Sequence, residues 1–154
     1  MKIVLINPDI PWNAGNIGRT CVATGNELVF VGRLGFKIED KEIRRSGLDY
    51  WQYLKYSIFP TFENFLETLT KDENLIFFST KGKKEYWKAP YKKTSCLIFG
   101  SETSGLPLDY YKRYEDILYR IPIYSDKVRS LNLSTSAGIA IYRAMEKISL
   151  ELTE

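Results

Sequence analysis

Two stretches of this sequence determine its architecture: LIFGSETSGLP (97–107) and RIPIYSDKVRSLNLSTSAGIAIY (120–142). Each begins as an apolar strand, breaks into a loop of Gly, Ser, Thr or Asn, and then enters a helix. Main-chain groups at strand ends and helix starts can bind a polar small molecule without a metal or a histidine. Two such loops in one short domain therefore predict a single small-molecule pocket.

Apolar segments alternate with helical patterns along the rest of the chain. The predicted strands are Ile3–Ile6, Leu28–Val31, Leu75–Phe78, Cys96–Phe99 and Leu118–Ile121, and the predicted helices cover about 16–24, 40–47, 61–69, 108–114 and 133–150. Strands this apolar are usually buried on both faces. The alternation predicts an α/β fold, with a mostly parallel sheet flanked by helices in a single domain over residues 1–154.

The composition is that of a globular protein, with 44% hydrophobic and 27% charged residues among 154. No apolar run approaches the roughly 18 residues of a membrane span, and the N-terminus leads straight into a strand. We therefore expect a cytoplasmic protein with no membrane contact. Cys21 and Cys96 form no CxxC motif, which favours two buried thiols in a reducing compartment.

The chain contains no histidine. This excludes His-based triads, histidine general bases and nearly every transition-metal site built on imidazole. We expect no metal, and any catalysis has to use other groups.

The net charge of +3 is mild, but the basic residues cluster. The segment KGKKEYWKAPYKK (81–93) interleaves six lysines with aromatic residues, and a second cluster contains Lys41, Arg44 and Arg45. Such segments suit phosphate contact with base stacking, and they are as often only solvated surface. We expect 81–93 to be the most mobile part of the chain.

The last helix carries an apolar stripe, which consists of Leu133, Ala137, Ala140, Ile141, Ala144, Met145, Ile148 and Leu152. This spacing predicts that one helix face packs on the core. Ile139 and Tyr142 fall outside the stripe, which suits a homodimer contact, although single exposed apolar residues are common.

The first loop and its surroundings read NPDIPWNAGNIGRT (7–20). Asn13, Gly15 and Asn16 allow tight turning, and Arg19 in the first turn of the next helix would reinforce an anion site. The segment matches neither G-x-G-x-x-G nor G-x-x-x-x-G-K-[ST], so nucleotide-cofactor and P-loop interpretations lose their main support. An ordinary strand-to-helix turn with an Asn cap is the alternative.

The two later loops also allow a structural interpretation beside the functional one. Glu102 either serves a site or caps the helix that follows Leu106. Asn132 or Ser134 can simply cap the long last helix. The density of polar groups favours a site, because a cap needs one residue only.

Three segments together resemble the motifs of the SPOUT-class RNA 2′-O-methyltransferases: NAGNIGR, LIFGSETSGLP and RIPIYSDKVRSLNLSTSAGIAIY. The resemblance covers nearly the whole chain, and DKEIRRSGLDYW (40–51) is similar to the small TrmL-like subgroup. It implies a deep C-terminal trefoil knot, S-adenosylmethionine as cofactor and a homodimer. It also implies methylation of the ribose of the tRNA wobble nucleotide 34, a cytidine or modified uridine.

The resemblance further implies roles for individual residues. The implied cofactor site consists of Phe78, Thr80, Phe99, Gly100, Glu102, Ile121, Ile123, Ser130 and Leu131. The implied catalytic residues are Arg19, Glu102, Asn132 and Ser134, with Arg19 acting on the 2′-hydroxyl as a base or by orienting it against the neighbouring phosphate. Tyr142 would contact RNA or the partner subunit, and the basic clusters add Arg45, Lys83 and Lys84 as RNA-binding residues.

The sequence departs from the family pattern at three places. Ser101 stands where relatives commonly carry Pro, Ser104 stands where they often carry Arg, and the loop DKVRS is one residue longer, which affects the register of 126–128. Three alternatives stay open: the same chemistry on another RNA such as ribosomal RNA, a knotted RNA-binding protein without activity, and a flavodoxin-like small-molecule domain.

Overall fold

The computed structural model describes residues 1–39, 43 and 49–151, apart from the side chain of Leu150. The strands are β1 (Lys2–Ile6), β2 (Glu27–Val31), β3 (Tyr56–Phe59), β4 (Leu75–Phe78), β5 (Lys84–Glu85), β6 (Cys96–Phe99) and β7 (Leu118–Arg120). The α-helices are α1 (Pro11–Thr24), α2 (Phe62–Leu66), α3 (Tyr110–Arg113) and α4 (Leu133–Glu151). Short 3₁₀ turns occupy 51–53, 86–88 and 115–117.

The strands form one sheet in the order β3-β2-β1-β6-β4-β7-β5, and all of its strand pairs are parallel. This confirms the predicted α/β class. The carboxyl ends of β4, β6 and β7 meet at one edge, because β4 pairs with both of the others. The late strand β7 inserts between β4 and β5, which both precede it in sequence. The trefoil knot stays a prediction, and this strand order favours it.

Both faces of the sheet are buried, as the apolar strands predict. Along β1, Ile3 and Leu5 face a core that α1 and α4 cover, whereas Val4 and Ile6 face a second core beneath α2 and α3. Aromatic rings fill the second core, where Phe77 stacks on Tyr114 with ring centroids 4.2 Å apart. Packing on these two cores holds α1 and α4 against one face of the sheet and α2 and α3 against the other.

Several elements differ from their predicted bounds. Helix α1 begins at Pro11 rather than at Asn16, α2 and α3 are shorter than predicted, and the strands β3 and β5 were not predicted at all. The predicted mobile segment 81–93 contains β5 and a 3₁₀ turn, and it buries Ala89 and Tyr91, so that prediction is wrong. Apart from Ile43, the predicted helix 40–47 lies outside the described residues.

The apolar stripe of α4 packs on the core as predicted, with Ala137, Ala140, Ile141 and Ala144 fully buried. Leu152 lies outside the described residues. Tyr142 points away from the core and is 58% exposed. None of the helices within the described ranges is long and apolar enough to cross a membrane.

The two cysteines are buried and unbonded, as predicted. Burial raises the pKa of both the Cys21 and the Cys96 thiol to about 12, so both stay protonated at neutral pH. A buried, protonated thiol is a packing residue rather than a nucleophile.

Candidate active site

A cavity of about 490 Å³ opens where the carboxyl ends of β4, β6 and β7 meet. Ligands of parallel α/β sheets bind at this edge. All of the residues predicted to bind a cofactor line the cavity, namely Phe78, Thr80, Phe99, Gly100, Glu102, Ile121, Ile123, Ser130 and Leu131. The structure thus brings together three chain segments that are far apart in sequence.

The apolar part of the cavity has a rigid floor. Phe78 and Phe99 are register partners on neighbouring strands, and their rings stack with centroids 4.8 Å apart and planes 9° apart. Ile121 and Ile123, which follow β7, are half-buried in the same cavity. Flat apolar walls with main-chain N–H and C=O groups between them can hold a planar heterocycle.

The loop after β6 closes on itself. Ser101 and Gly105 exchange two main-chain hydrogen bonds of 3.0 and 2.9 Å, and Gly105 has a left-handed φ of 71°. A Cβ atom on Gly100 would lie 2.2 Å from the carbonyl carbon of Gly105. Glycine is therefore required at position 100, where the chain passes closest to itself beside the cavity.

Glu102 caps a helix, but not the one that the sequence suggested. Its carboxylate accepts hydrogen bonds from the main-chain N–H groups of Asp9 at 2.7 Å and Ile10 at 3.2 Å, directly before α1. Helix α1 has no side-chain cap of its own. The negative charge also suits the positive end of the α1 dipole. The alternative in which Glu102 caps the helix after Leu106 is wrong, because its carboxylate reaches the start of α1 instead.

Asn13 is the residue that the sequence interpretation missed. It was read as a turn former, but it lies inside α1, is only 2% exposed and donates through Nδ2 to Glu102 at 3.1 Å. Its Oδ1 accepts a hydrogen bond of 3.0 Å from Asn132. Because α1 starts at Pro11, Asn13 lies on the same buried face of the helix as Ile17 and Cys21. A polar residue on an otherwise apolar helix face indicates a buried hydrogen-bond partner, and this pattern could have identified Asn13 from the sequence.

Asn132 serves two purposes. Its Oδ1 accepts from the N–H of Ser134 at 2.8 Å, from the Ser134 hydroxyl at 2.6 Å and from the N–H of Thr135 at 3.2 Å, so it caps α4. Its Nδ2 makes the bond to Asn13, and the residue lines the cavity. Ser134 does not line the cavity, and its hydroxyl donates to the Asn132 side chain.

A second link joins the first loop to the loop after β6. The Asp9 carboxylate accepts hydrogen bonds from the hydroxyls of Ser101 at 2.6 Å and Thr103 at 2.5 Å. These hydrogen bonds lower the pKa of Asp9 below the ordinary aspartate value, with a smaller contribution from Arg33. Ser101, one of the departures from the family pattern, thus has a defined partner.

Arg19 lies outside the cavity. It sits on the exposed side of α1 with its guanidinium 5.1 Å from the ring centre of Tyr50, and it is not a lining residue. The Tyr50 hydroxyl donates to the carbonyl of Gly15, and burial raises the pKa of this phenol. Within one chain, the structure therefore separates Arg19 from Glu102 and Asn132.

The predicted RNA-binding residues are spread over the surface. Lys83 forms an ion pair with Glu115, which raises the pKa of the lysine, and Lys84 donates to the carbonyl of Asp116 at 2.6 Å. Tyr142 is exposed on α4, and Arg45 lies outside the described residues. Their roles in RNA binding stay predictions.

Within 1–39, 43 and 49–151, no group of three or more His, Cys, Asp or Glu side chains is placed to hold a metal ion. The polar side chains of the cavity are amides, hydroxyls, the basic groups of Lys81 and Arg129, and the single carboxylate of Glu102, whose hydrogen bonds are directed at α1.

Comparison with known proteins identifies relatives along almost the entire chain. The model of the SpoU rRNA methylase family matches residues 1–142. A protein of Synechocystis sp. with the provisional name tRNA (cytidine(34)-2′-O)-methyltransferase is 44% identical over 145 residues, 94% of each chain. The tRNA (cytidine(34)-2′-O)-methyltransferase of Burkholderia cenocepacia is 34% identical and covers 97% of both chains.

Solved structures give the same result for the fold. A structure described as giving insight into the 2-OH methylation of C/U34 on tRNA superposes with a TM-score of 0.89 at 36% identity, covering 94% of this chain and 93% of its own. An AdoMet-bound rRNA methyltransferase from Sinorhizobium meliloti has a TM-score of 0.83 at 25% identity. This chain covers 56% of that larger protein.

Proposed function

The chain belongs to the SpoU rRNA methylase family, and we propose that it transfers a methyl group from S-adenosylmethionine to a ribose 2′-hydroxyl of tRNA. The target is the wobble nucleotide 34, a cytidine or a modified uridine. The observation that carries this proposal is the convergence of three separate motif segments on one cavity at the ends of β4, β6 and β7. The relatives named for this reaction match the chain over nearly its whole length.

The cavity fits this cofactor in size and in chemistry. Its volume of about 490 Å³ lies within the range of about 300–1,000 Å³ that is usual for small-molecule sites. The stacked Phe78 and Phe99 with Ile121 and Ile123 offer flat apolar walls for a purine ring. When bound, S-adenosylmethionine supplies an activated methyl group on a sulfonium, so the protein has to supply mainly position.

The 2′-hydroxyl of the target ribose must lose its proton as it attacks. Arg19 is the candidate to act on it, but a guanidinium keeps its proton at neutral pH. We therefore assign Arg19 to orient the hydroxyl, or the phosphate beside it, through its planar fork of donors. The proton then passes to solvent water, while the methyl group leaves the sulfonium and S-adenosylhomocysteine remains.

Glu102, Asn13 and Asn132 act as positioning residues in this proposal. The Glu102 carboxylate is already engaged by two main-chain N–H groups and by Asn13, so its oxygens hold α1 rather than a substrate. Since α1 carries Arg19, these contacts fix the distance between the guanidinium and the cavity loop. Ser134 supports the same arrangement through Asn132.

We infer that the working enzyme is a homodimer in which a second copy completes the site. Arg19 is exposed and lies outside the cavity of its own chain. On α4, Tyr142 is exposed and Ile139 is half-buried. Mixing Arg19→Ala chains with Gly100→Val chains tests this. Heterodimers in which one site is intact should regain activity that neither variant has alone, and mixtures that stay inactive would contradict a shared site.

The tRNA relatives at 34–44% identity favour tRNA over ribosomal RNA, since the rRNA enzyme is more distant at 25%. The family match removes the flavodoxin-like alternative. With a tRNA substrate, we propose that the protein works in the cytoplasm.

The target atom is testable with two matched RNAs. One is an anticodon stem-loop with cytidine at position 34, and the other is identical except for 2′-deoxycytidine at that position. We expect methyl transfer to the first RNA only, measured with labelled S-adenosylmethionine. Equal labelling of both RNAs would show that the acceptor is not the 2′-hydroxyl of nucleotide 34.

A further inference from the structure

A second cavity of about 400 Å³ adjoins the first. The two share one wall, which consists of Thr80, Ile121, Ile123 and Arg129. The rest of the second cavity comes from the end of β7 and the loop after it, namely Arg120, Pro122, Tyr124, Ser125 and Val128. None of these five residues lines the first cavity.

The second cavity combines positive charge with an accessible aromatic ring. Arg120 and Arg129 both line it, and Tyr124 is 91% exposed. Arg129 pairs with no carboxylate among the residues that the structure describes. Such a combination of guanidinium groups and an aromatic face is typical of sites that hold a phosphate and stack a base.

The carboxylates nearby do not neutralise this charge. Glu85 lies 3.9 Å from Arg120 in a half-exposed pair, and such pairs are weak in water. Asp126 faces Lys127 at 3.6 Å, with both side chains about 85% exposed. The Ser125 hydroxyl accepts from the N–H of Lys127 at 3.2 Å, which forms the turn behind Tyr124.

We propose that the second cavity binds a nucleotide of the RNA substrate that neighbours the methylated one, with its base on Tyr124 and its phosphate on Arg120 and Arg129. The inference rests on the proposed function, because the shared wall places this nucleotide beside the cofactor. Bases in a single-stranded loop are free to leave the stack and lie on an aromatic ring. The contact gives affinity with little sequence preference, since every base has a face that stacks.

Arg120→Gln tests the phosphate contact, and Arg113→Gln is its matched control. Arg113 is similarly exposed and similarly paired, with Glu63 at 3.8 Å, but it lies on α3 and lines neither cavity. We expect Arg120→Gln to weaken binding of an anticodon stem-loop about 5-fold in fluorescence anisotropy. We also expect the slope of log affinity against log salt to fall by about 0.7, as one lost phosphate contact on single-stranded RNA requires. Arg113→Gln should change neither value.

Tyr124→Ala tests the stacking contact, with Tyr124→Phe and Tyr53→Ala as controls. Tyr53 is 68% exposed beside β3, at the opposite edge of the sheet. We expect Tyr124→Ala to weaken RNA binding about tenfold, whereas Tyr124→Phe and Tyr53→Ala should bind like the unchanged chain. The affinity for S-adenosylhomocysteine should be the same for all variants, because Tyr124 and Arg120 do not line the first cavity.

Three results would overturn the proposal. The first is RNA binding that is equal in Arg120→Gln, Tyr124→Ala and the unchanged chain. The second is a parallel loss of S-adenosylhomocysteine binding, which would assign the second cavity to the cofactor. The third is binding of free cytidine monophosphate or inorganic phosphate as tight as that of the stem-loop, which would make it a small-molecule site. If the unchanged chain binds the stem-loop but methylates no tRNA, the proposed function fails. The stem-loop affinities of the Arg120 and Tyr124 variants would still show whether the second cavity contacts RNA.

Discussion

The side chain of Asn132 donates a hydrogen bond of 3.0 Å to the side-chain oxygen of Asn13, which lies 119 residues earlier in the chain. Asn13 in turn donates to Glu102 at 3.1 Å. One buried amide thus joins α1, the loop after β6 and the start of α4. These are the three segments that carry the family motifs, so the network fixes the relative position of everything that the proposed reaction uses.

Asn13→Ala should destabilise the protein and loosen the pocket. It removes one donor from the Glu102 carboxylate, and a hydrogen bond to a charged group contributes about 1.5–3 kcal/mol. The Asn132 amide is exposed and can turn to water, so its loss of the Asn13 acceptor adds little. Asn16→Ala is the control, because Asn16 is exposed on the same helix. Urea unfolding and calorimetric titration of S-adenosylmethionine measure both effects. Equal stability of the two variants would show that the network is not a structural link.

Gly100→Ala should abolish cofactor binding and lower the free energy of unfolding. The added Cβ would lie 2.2 Å from Gly105 and 2.4 Å from the N atom of Leu106, so the loop beside the cavity has to move. Gly138→Ala on α4 is the matched control, because a Cβ there meets nothing within 4 Å. It should raise stability by about 0.5–1 kcal/mol, as expected for alanine in a helix. Unchanged cofactor affinity in Gly100→Ala would contradict the placement of the pocket.

The hydrogen bonds from the Ser101 and Thr103 hydroxyls to the Asp9 carboxylate should make the stability of the protein depend on pH in the acidic range. The pKa of Asp9 is lower in the folded state than in the unfolded state. Its contribution to the free energy of unfolding is therefore complete above the pKa of the unfolded state, and it is lost as the pH falls through the pKa of the folded state. We expect Asp9→Asn to be less stable than the unchanged chain at neutral pH. The difference should shrink below about pH 4. Urea unfolding measures this difference in stability between Asp9→Asn and the unchanged chain. A difference that stays constant over this pH range would contradict a stabilising role of these hydrogen bonds.

Arg19→Ala should lose methyl transfer while S-adenosylmethionine binding persists, because Arg19 does not line the cavity. Arg113→Ala serves as the control for the loss of an exposed guanidinium. Arg19→Lys should restore little activity, since an ammonium lacks the planar fork of donors. The two readouts are the single-turnover rate with tRNA and the calorimetric affinity for the cofactor. Loss of both together would make Arg19 a cofactor ligand.

The sequence was sufficient for the parallel sheet and for the pocket, because both rest on local patterns. Buried strands are recognisable as apolar runs, and β1, β2, β4, β6 and β7 all have such runs. The edge strand β3 was missed because only half of its residues contact the core, which gives YSIF an ambiguous pattern. The strand β5 has two residues and no pattern of its own.

Long-range contacts account for the remaining errors. Pro11 lies in the stretch that was read as the first loop, with the helix predicted to begin near residue 16. In the structure Pro11 occupies the first turn of α1, a position that proline favours. The cap of this helix comes from Glu102, 92 residues beyond Ile10, and no local signal announces such a partner. Because the start of α1 was predicted five residues too late, Asn13 was not assigned to the buried face of this helix. Its hydrogen bond with Asn132 therefore could not be inferred.

Mass spectrometry of tRNA nucleosides is the decisive test of ribose methylation by this protein. Total tRNA is incubated with the protein and S-adenosylmethionine that carries a deuterated methyl group, and is then digested to nucleosides. We predict that the heavy methyl appears on the ribose of cytidine or of a modified uridine, and that Arg19→Ala removes this product. Heavy methyl on a base would contradict ribose methylation by this protein. The absence of any labelled nucleoside, with a chain that binds the cofactor, would also contradict it.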